Sequence, residues 1–447
     1  RNRFYHADQE RHFDYLVEKH KRVLEIGCGT GDLLAALAPS QGLGIDLSAA
    51  QIEIARRRHP GLHFETADAE TWAAPEDASF DYLVLSDLVG YLDDIQGCLE
   101  RLHALCTADT RIIISTYNFL WQPVLALAER CGLKMPTPEQ SWISLDDLRN
   151  LLLLADYQIV KAERRLLFPK YVPGLSALLN HLGNLPGINH ACLCQYVVAR
   201  AVPRPDPAAR SVSIVVPCRN ERGNIRPAID RLPAFGRSQE IIFVDGHSTD
   251  GTQAEIANVI AECPERDIRL LAQIGRGKGD AVRLGFEEAR GEVLMILDAD
   301  LTVPPEDLPK FYQAIATGKG EFLNGCRLVY PMEDEAMRAL NQLGNKFFAT
   351  CFSWLLGQRL KDTLCGTKVL SKADYAVISA NRAYFGDFDP FGDFDLLFGA
   401  SKLNLKILEI PVRYRSRAYG ETKIHRFRHG FMLLRMVFYA YRKMKAR

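Results

Sequence analysis

Short runs of Val, Ile, Leu and Phe alternate along the first half of the chain with longer stretches in which apolar residues recur at helical spacing. The runs occupy 22–27, 44–47, 63–67, 80–86 and 111–117. Continuous apolar strands separated by helical patterns predict a parallel sheet covered by helices on both faces. Two further runs, 157–168 and 192–202, follow a helix predicted to begin at Ser144, with Asp147 three residues on. They are expected to close the sheet as an antiparallel pair. Between them, 169–189 is punctuated by Pro and Gly and holds an apolar helical segment, 175–182, read either as a lid over a pocket or as a helix packed on the solvent side.

Prolines at 203, 205 and 207 remove too many backbone donors for helix or central strand, so 202–210 is predicted to be a linker. A second alternating series then begins, with runs at 212–217, 240–244, 268–271, 292–297 and 322–326. The pattern predicts an α/β protein of two domains, 1–201 and 211–425, followed by a basic amphipathic helix over 426–447.

Composition changes little in this picture. With 447 residues, 47% hydrophobic and 25% charged, the chain reads as globular protein with room for two or three cores. Its formal net charge is zero, which supplies no global field to recruit nucleic acid. The charge is nevertheless uneven: no acid follows Glu421, whereas Lys423, Arg426, Arg428, Arg435, Arg442, Lys443, Lys445 and Arg447 do. Eleven cysteines with no CxxC pair predict reduced thiols and a cytoplasmic protein. No run approaches the ~18 apolar residues that cross a bilayer, and the polar start has no signal-peptide core.

Candidate chemistry sits where strands end. Gly27, Gly29 and Gly31 follow the first strand directly and precede a helical run, an arrangement that turns the backbone tightly against a ligand. The spacing is GxGxG, which argues against the dinucleotide fingerprint GxGxxG. Asp46 ends the second strand, where a carboxylate can accept both ribose hydroxyls, while Asp68 follows the third strand and Asp87 the fourth. Together these residues resemble the class I S-adenosylmethionine-dependent methyltransferases. In that resemblance Glu25, Gly27, Gly29 and Gly31 form the first motif, Asp46 is the ribose-binding acid, Asp68 lies at the adenine, and Asp87 closes the fourth strand. The resemblance implies S-adenosylmethionine as cofactor and leaves the methyl acceptor open. Tyr91, His103 and Asn118 are candidate acceptor-side groups or structural residues.

In the second half, one strand ends at Pro217 and is followed by Glu221, and another ends at Asp245, whose carboxylate can accept a nucleobase N–H. Arg276 and Lys278, in a glycine-rich loop, either meet a diphosphate or form a solvated turn. Asp298 and Asp300, at i and i+2 after a buried strand, would point apart along extended backbone, and a bend at the strand end is expected to let one ligate a metal directly and the other act through sugar or water. Mg2+ or Mn2+ held there would neutralise a leaving diphosphate.

This set resembles the family 2 inverting glycosyltransferases of the GT-A fold. The run from Asp298 through Glu306 is especially similar to polyprenyl-phosphate sugar transferases. The resemblance implies a nucleotide-sugar donor and a lipid-phosphate acceptor, with Arg327, Lys368, Arg417 and Lys423 near the acceptor phosphate. Two positions depart from the family: Thr302 replaces a glutamine, and Lys368 replaces an arginine and loses its bidentate fork.

Asp387, Asp389, Asp393 and Asp395 crowd one segment, and Asp393 is the candidate base if the acceptor is a sugar hydroxyl. A phosphate acceptor, with its second pKa near ~6, needs none. The apolar run 345–356 and the basic tail suit a lipid headgroup zone or the protein's own core. The expectation is a bifunctional enzyme, peripheral at the inner face of an anionic membrane. Glycan-hydroxyl transfer, with a first domain that only docks or regulates, is the competing reading.

Overall fold

The computed structural model describes residues 3–75, 78–132, 140–202, 209–328, 339–382, 393–415, 417, 419 and 426–446. It resolves into two compact units, Arg1–Pro203 with Lys445–Arg447, and Arg204–Met444.

The first unit runs α1 (Arg3–Leu16), β1 (Arg22–Ile26), α2 (Asp32–Ala36), β2 (Gln41–Asp46), α3 (Ala49–Arg58), β3 (His63–Thr66), β4 (Tyr82–Ser86), α4 (Ile95–His103) and β5 (Arg111–Tyr117). It continues through α5 (Gln122–Arg130), α6 (Leu145–Leu154), β6 (Tyr157–Arg165), α7 (Leu175–Gly183) and β7 (Cys194–Ala201). The sheet order is β3-β2-β1-β4-β5-β7-β6, with β7 antiparallel to both β5 and β6. The antiparallel closure follows the sequence pattern, and Ser144 and Asp147 form the reciprocal cap that starts α6. Strand residues such as Leu24, Val84 and Ile113 are wholly buried, as both faces of a helix-covered sheet require.

The second unit contains β8 (Val212–Cys218), α8 (Arg222–Asp230), β9 (Gln239–Asp245), α9 (Thr252–Glu262), β10 (Asp267–Ala272), α10 (Lys278–Glu288), β11 (Val293–Ile296), α11 (Leu308–Ala316) and β12 (Phe322–Cys326). After these come α12 (Ala339–Leu356), β13 (Lys368–Ser371), α13 (Lys372–Ala380), α14 (Asp393–Lys402), β14 (Ile407–Pro411) and α15 (Arg426–Met444). Its seven strands are ordered β10-β9-β8-β11-β13-β12-β14. Sequence pattern predicts only five of these strands. β13 is four residues long and opens on a lysine, and β14 is short and partly exposed, so neither gives a clear period.

Helix α12 takes the second of its two expected places, the protein's own core. The run 345–356 is apolar nearly all round because most of it is core: Phe352, Leu355 and Leu356 are inaccessible to solvent, and Trp354 stacks on Tyr441 of α15 with ring centroids 5.6 Å apart. Phe347 is its one exposed large apolar side chain among the described residues. The tail divides. Leu433, Met436 and Ala440 of α15 pack inward, while Phe431, Leu434 and Phe438 face solvent. No described helix is long and apolar enough to cross a membrane.

Both sheets share one property that positions a site. β1 pairs with β2 on one side and β4 on the other, and β8 pairs with β9 and β11 in the same way. Chain connections therefore leave in opposite directions from β1 and β4, and from β8 and β11, which opens a crevice at their carboxyl ends.

Candidate functional sites

In the first unit that crevice holds the glycine turn. Gly27, Gly29 and Gly31 have φ of 73°, 53° and 74°, the left-handed region that glycine enters without cost. Space adds a second constraint, since a Cβ at Gly31 would sit 2.6 Å from the Phe64 ring. Asp46 anchors the turn: its Oδ2 accepts from the Gly29 amide at 2.9 Å and its Oδ1 from the Ser48 amide at 2.8 Å. Each oxygen keeps a further lone pair, so the same carboxylate can still accept a hydroxyl. Asp68 accepts from the Glu70 amide at 2.9 Å.

Asp87 has φ of 53° and is held from three sides. Ser115 Oγ donates to its Oδ1 at 2.8 Å, Gln9 Nε2 to its Oδ2 at 2.8 Å, and the Tyr5 hydroxyl also to Oδ2. Tyr5 and Gln9 thus tie α1 to the end of β4. The sequence reading missed both, and no local signal links residues 82 and 78 positions away. A small pocket beside Asp87 is lined by Gly90, Thr116, Tyr117, Ser141 and Trp142. Of the acceptor-side candidates, Asn118 is structural: its amide donates to the carbonyls of His190 and Cys192 at 2.8 and 2.9 Å. His103 packs edge-on against Tyr157, and Tyr91 is partly exposed.

Glu25 lies in β1 with 2% of its surface exposed and an Oε2 that has no hydrogen-bond partner. Burial pushes its carboxyl up to about 8, with Asp46 and Asp32 adding to the rise. A raised folded-state pKa stabilises at low pH, and that contribution is lost as pH climbs from the unfolded value through about 8. In the ligand-free chain, Glu25→Gln should therefore remove this loss. Thermal unfolding should show the variant gaining several degrees on wild type between pH 5 and pH 8.5, and a constant difference across that range would refute the assignment.

In the second unit, Leu297, Ala299 and Leu301 are buried while Asp298 and Asp300 between them face outward. The chain bends immediately after β11, as expected at this strand end: the Leu301 amide donates to the Asp298 carbonyl at 3.1 Å, closing a turn through Ala299 and Asp300, and Leu301 takes a φ of 53°. Lys278, the first residue of α10, places Nζ 2.6 Å from Asp298 Oδ1. Asp300 accepts from Thr302 Oγ1 at 2.8 Å and from Arg417 at 2.5 Å, and a second guanidinium nitrogen of Arg417 is 3.8 Å from Glu221. Glu221, Lys278, Asp298, Asp300 and Arg417 thus converge at the carboxyl ends of β8 and β11. Thr302, where the family resemblance expects glutamine, orients Asp300 through both hydroxyl and amide.

Asp245, 1% exposed, accepts from Gln253 at 2.6 Å and Ser248 at 3.2 Å through Oδ2, and its Oδ1 is buried without a partner. Pro217 lies in β8, one residue before its end, and Arg276 is exposed in the loop before α10.

The remaining candidates are less available. Arg327 forks onto Asp362 at 2.7 and 2.8 Å, and Asn345 donates to the same carboxylate. Burial works against ionisation of Asp362, but the Arg327 charge outweighs it and holds the carboxyl down at about 2. Lys368 is wholly buried, with Nζ donating to the Cys365 carbonyl. Asp395 accepts from Arg382 at 3.1 Å. Lys423, Asp387 and Asp389 lie outside the described residues, as does the side chain of Asp393, whose backbone starts α14.

Gly366 is a site residue that sequence reading missed. A Cβ there would overlap both Asp298 Oδ2 and Lys278 Nζ. Gly366→Ala should displace that pair and depress turnover by the second domain while leaving S-adenosylmethionine affinity in the first untouched, as calorimetry and a sugar-transfer assay would report together.

Each half of the chain matches a known family model. Residues 1–162 match the family model described as a methyltransferase domain, and residues 213–366 match glycosyl transferase family 2. The dolichol-phosphate mannosyltransferase of Pyrococcus furiosus is 30% identical over 52% of this chain and 64% of its own. That of Saccharomyces cerevisiae is 36% identical over 23% of this chain and 40% of its own. Both alignments span less than two thirds of the relative. A solved S-adenosylmethionine-dependent methyltransferase from Thermotoga maritima aligns at 20% identity with a TM-score of 0.36, covering 44% of this chain and 91% of that one. The chain thus joins a methyltransferase domain of the S-adenosylmethionine-dependent class to a family 2 glycosyltransferase domain. The second domain resembles the dolichol-phosphate mannosyltransferases.

Proposed function

We propose that the chain is a bifunctional enzyme whose second domain moves a sugar, with inversion, from a nucleotide-sugar to a polyprenyl phosphate, and whose first domain transfers a methyl group from S-adenosylmethionine. The observation that carries this reading is the convergence of Glu221, Lys278, Asp298, Asp300 and Arg417 on one crevice. Asp245, with an unpartnered buried oxygen, suits a nucleobase N–H, and Pro217 and Glu221 line the same strand end. Lys278 and Arg276 supply positive charge for the diphosphate.

Two hard carboxylates on one strand-end turn fit Mg2+ or Mn2+, which when bound would neutralise the leaving diphosphate. Asp298 and Asp300 would hold it. Among the described residues no cluster of three or more His, Cys, Asp or Glu supplies further protein ligands, so waters and phosphate oxygens would complete the shell, as magnesium prefers. An acceptor phosphate is largely ionised at neutral pH and attacks without a protein base. Arg417 borders Asp300 and is the best placed of the described basic candidates to meet it. Arg327 and Lys368 act from a buried layer behind, and Lys423 belongs to the same segment as Arg417.

In the first domain Gly27, Gly29, Gly31, Asp46 and Asp68 would seat the cofactor, with Glu25 and Asp87 bordering the turn. Attack on a sulfonium needs little proton transfer, so positioning supplies most of the rate. On α15, exposed Phe431, Leu434 and Phe438 share a stripe with Arg435 and Arg442, which favours reversible attachment to the cytoplasmic face of an anionic membrane.

The test is direct. Purified chain, Mn2+ and a panel of nucleotide-sugars are incubated with undecaprenyl phosphate or with simple glycans. Lipid-linked sugar should form, and Asp393→Asn should retain most activity. Transfer to glycan hydroxyls alone, abolished by Asp393→Asn, would replace the lipid-phosphate reading with the hydroxyl one. Arg327→Ala is a poor probe, since it strands the buried Asp362 and threatens folding at a cost of about 3–5 kcal/mol.

A further inference from the structure

The first unit carries an apolar surface that neither proposed reaction uses. Along α7, Leu175, Leu178 and Leu182 recur at i, i+3 and i+7, and all three face solvent. Tyr171, Leu185 and Ile188, on either side of the helix, extend the patch. Tyr171, Leu178 and, on α5, Leu127 expose 69%, 58% and 61% of their surface. Val124 and Leu120 are exposed beside Leu127. The α5 and α7 segments are fastened together: Trp121 Nε1 donates to the Ala191 carbonyl at 2.8 Å, and Asn118 bridges to His190 and Cys192.

The patch also reaches the methyltransferase crevice. The Tyr171 ring lies 5.8 Å from Phe4, the neighbour of the Tyr5 that holds Asp87. Single exposed leucines need no explanation, but exposed apolar residues that recur along one face of α7 and on both its flanks mark a contact surface.

Charge identifies what it contacts. No carboxylate occurs between Glu163 and Asp206, whereas Lys170, His181 and His190 are exposed within the patch segment. On α5 the half-buried Glu129 is followed by the exposed Arg130, so exposed cations outnumber acids along the described face. An apolar stripe with that balance has the chemistry of an amphipathic element seated at the headgroup level of an anionic bilayer. We infer that this α5–α7 face docks the methyltransferase domain on an anionic lipid surface, independently of α15, and brings the acceptor side of its crevice to the bilayer.

The experiment uses the full chain and vesicles of phosphatidylcholine with or without phosphatidylglycerol. Leu178→Glu combined with Leu182→Glu alters only exposed positions. It is compared in two backgrounds, wild type and Phe431→Glu with Phe438→Glu, the second of which silences the α15 stripe. Partition onto anionic vesicles should fall by at least about tenfold in both backgrounds, because burial of each leucine contributes about 1.5–3 kcal/mol. Cofactor affinity, measured alongside, should stay unchanged and reports folding.

Leu178→Trp gives a reading that needs no loss of function: its fluorescence should be quenched by brominated lipid. Partition unchanged in both backgrounds, or Leu178→Trp insensitive to brominated lipid, would overturn the inference. So would concentration-dependent dimerisation that the double substitution abolishes, since a second copy would then be the occupant. Failure of the sugar-transfer assay would leave this result standing, because vesicle partition does not depend on either reaction.

Discussion

Asp300→Asn is expected to reduce sugar transfer by about 10²–10³-fold with the fold intact. The side chain would lose one of the two negative charges available for a divalent cation. Charge stabilisation by such an ion is worth several kcal/mol, and each 1.36 kcal/mol is a factor of about ten in rate. The structure sharpens the expectation. Asp300 already sits against Arg417 at 2.5 Å and Asp298 against Lys278 at 2.6 Å, so cationic side chains neutralise each acid in the ligand-free chain. Substitution to Asn keeps the hydrogen bonds from Thr302 but replaces the oxygen that accepts from Arg417 with an amide donor, so the charge and that ion pair are lost together. The fold should hold because both partners remain partly exposed to solvent. Excess chelator should abolish turnover in wild type, and Mn2+ should restore it. Full activity in chelator, or a variant as fast as wild type, would remove the metal from the reaction and leave Lys278 and Arg417 to neutralise the diphosphate alone.

Much of each site was legible because a buried parallel strand announces itself as an unbroken apolar run, and chemistry collects where the run stops. Gly27 after Ile26, Asp245 after Val244 and Asp298 after Leu297 are all of this kind. What escaped depends on contacts between distant segments. Tyr5 and Gln9 reach Asp87 across most of a domain, and Asp362 closes on Arg327 from 35 residues away. Gly366 reads as an ordinary turn glycine until the Asp298–Lys278 pair is seen against it. The apolar run of α12 left two readings open for the opposite reason: all-round hydrophobicity describes a helix inside a core as well as one at a bilayer, and periodicity does not separate them. The bend at Asp298 and Asp300 was legible as well, because the apolar run stops at Leu297 and the Leu301–Asp298 turn follows directly.

Asp46→Ala should weaken S-adenosylmethionine binding by at least about tenfold, for two separable reasons. A carboxylate that accepts ribose hydroxyls contributes about 1.5–3 kcal/mol per charge-assisted bond. The same carboxylate holds the Gly29 amide at 2.9 Å and the Ser48 amide at 2.8 Å, so its removal also frees the turn that must approach the cofactor. Asp46→Asn separates these effects. Its single amide oxygen can satisfy one of the two backbone donors, so the turn is loosened less while a charged acceptor is lost. Calorimetry should rank affinity as wild type, then Asn, then Ala, and Ala should also show faster amide exchange across residues 27–31. Equal affinity in all three proteins would sink the cofactor site. Loss in Ala with full retention in Asn would assign Asp46 to holding the glycine turn, with the ribose bound elsewhere.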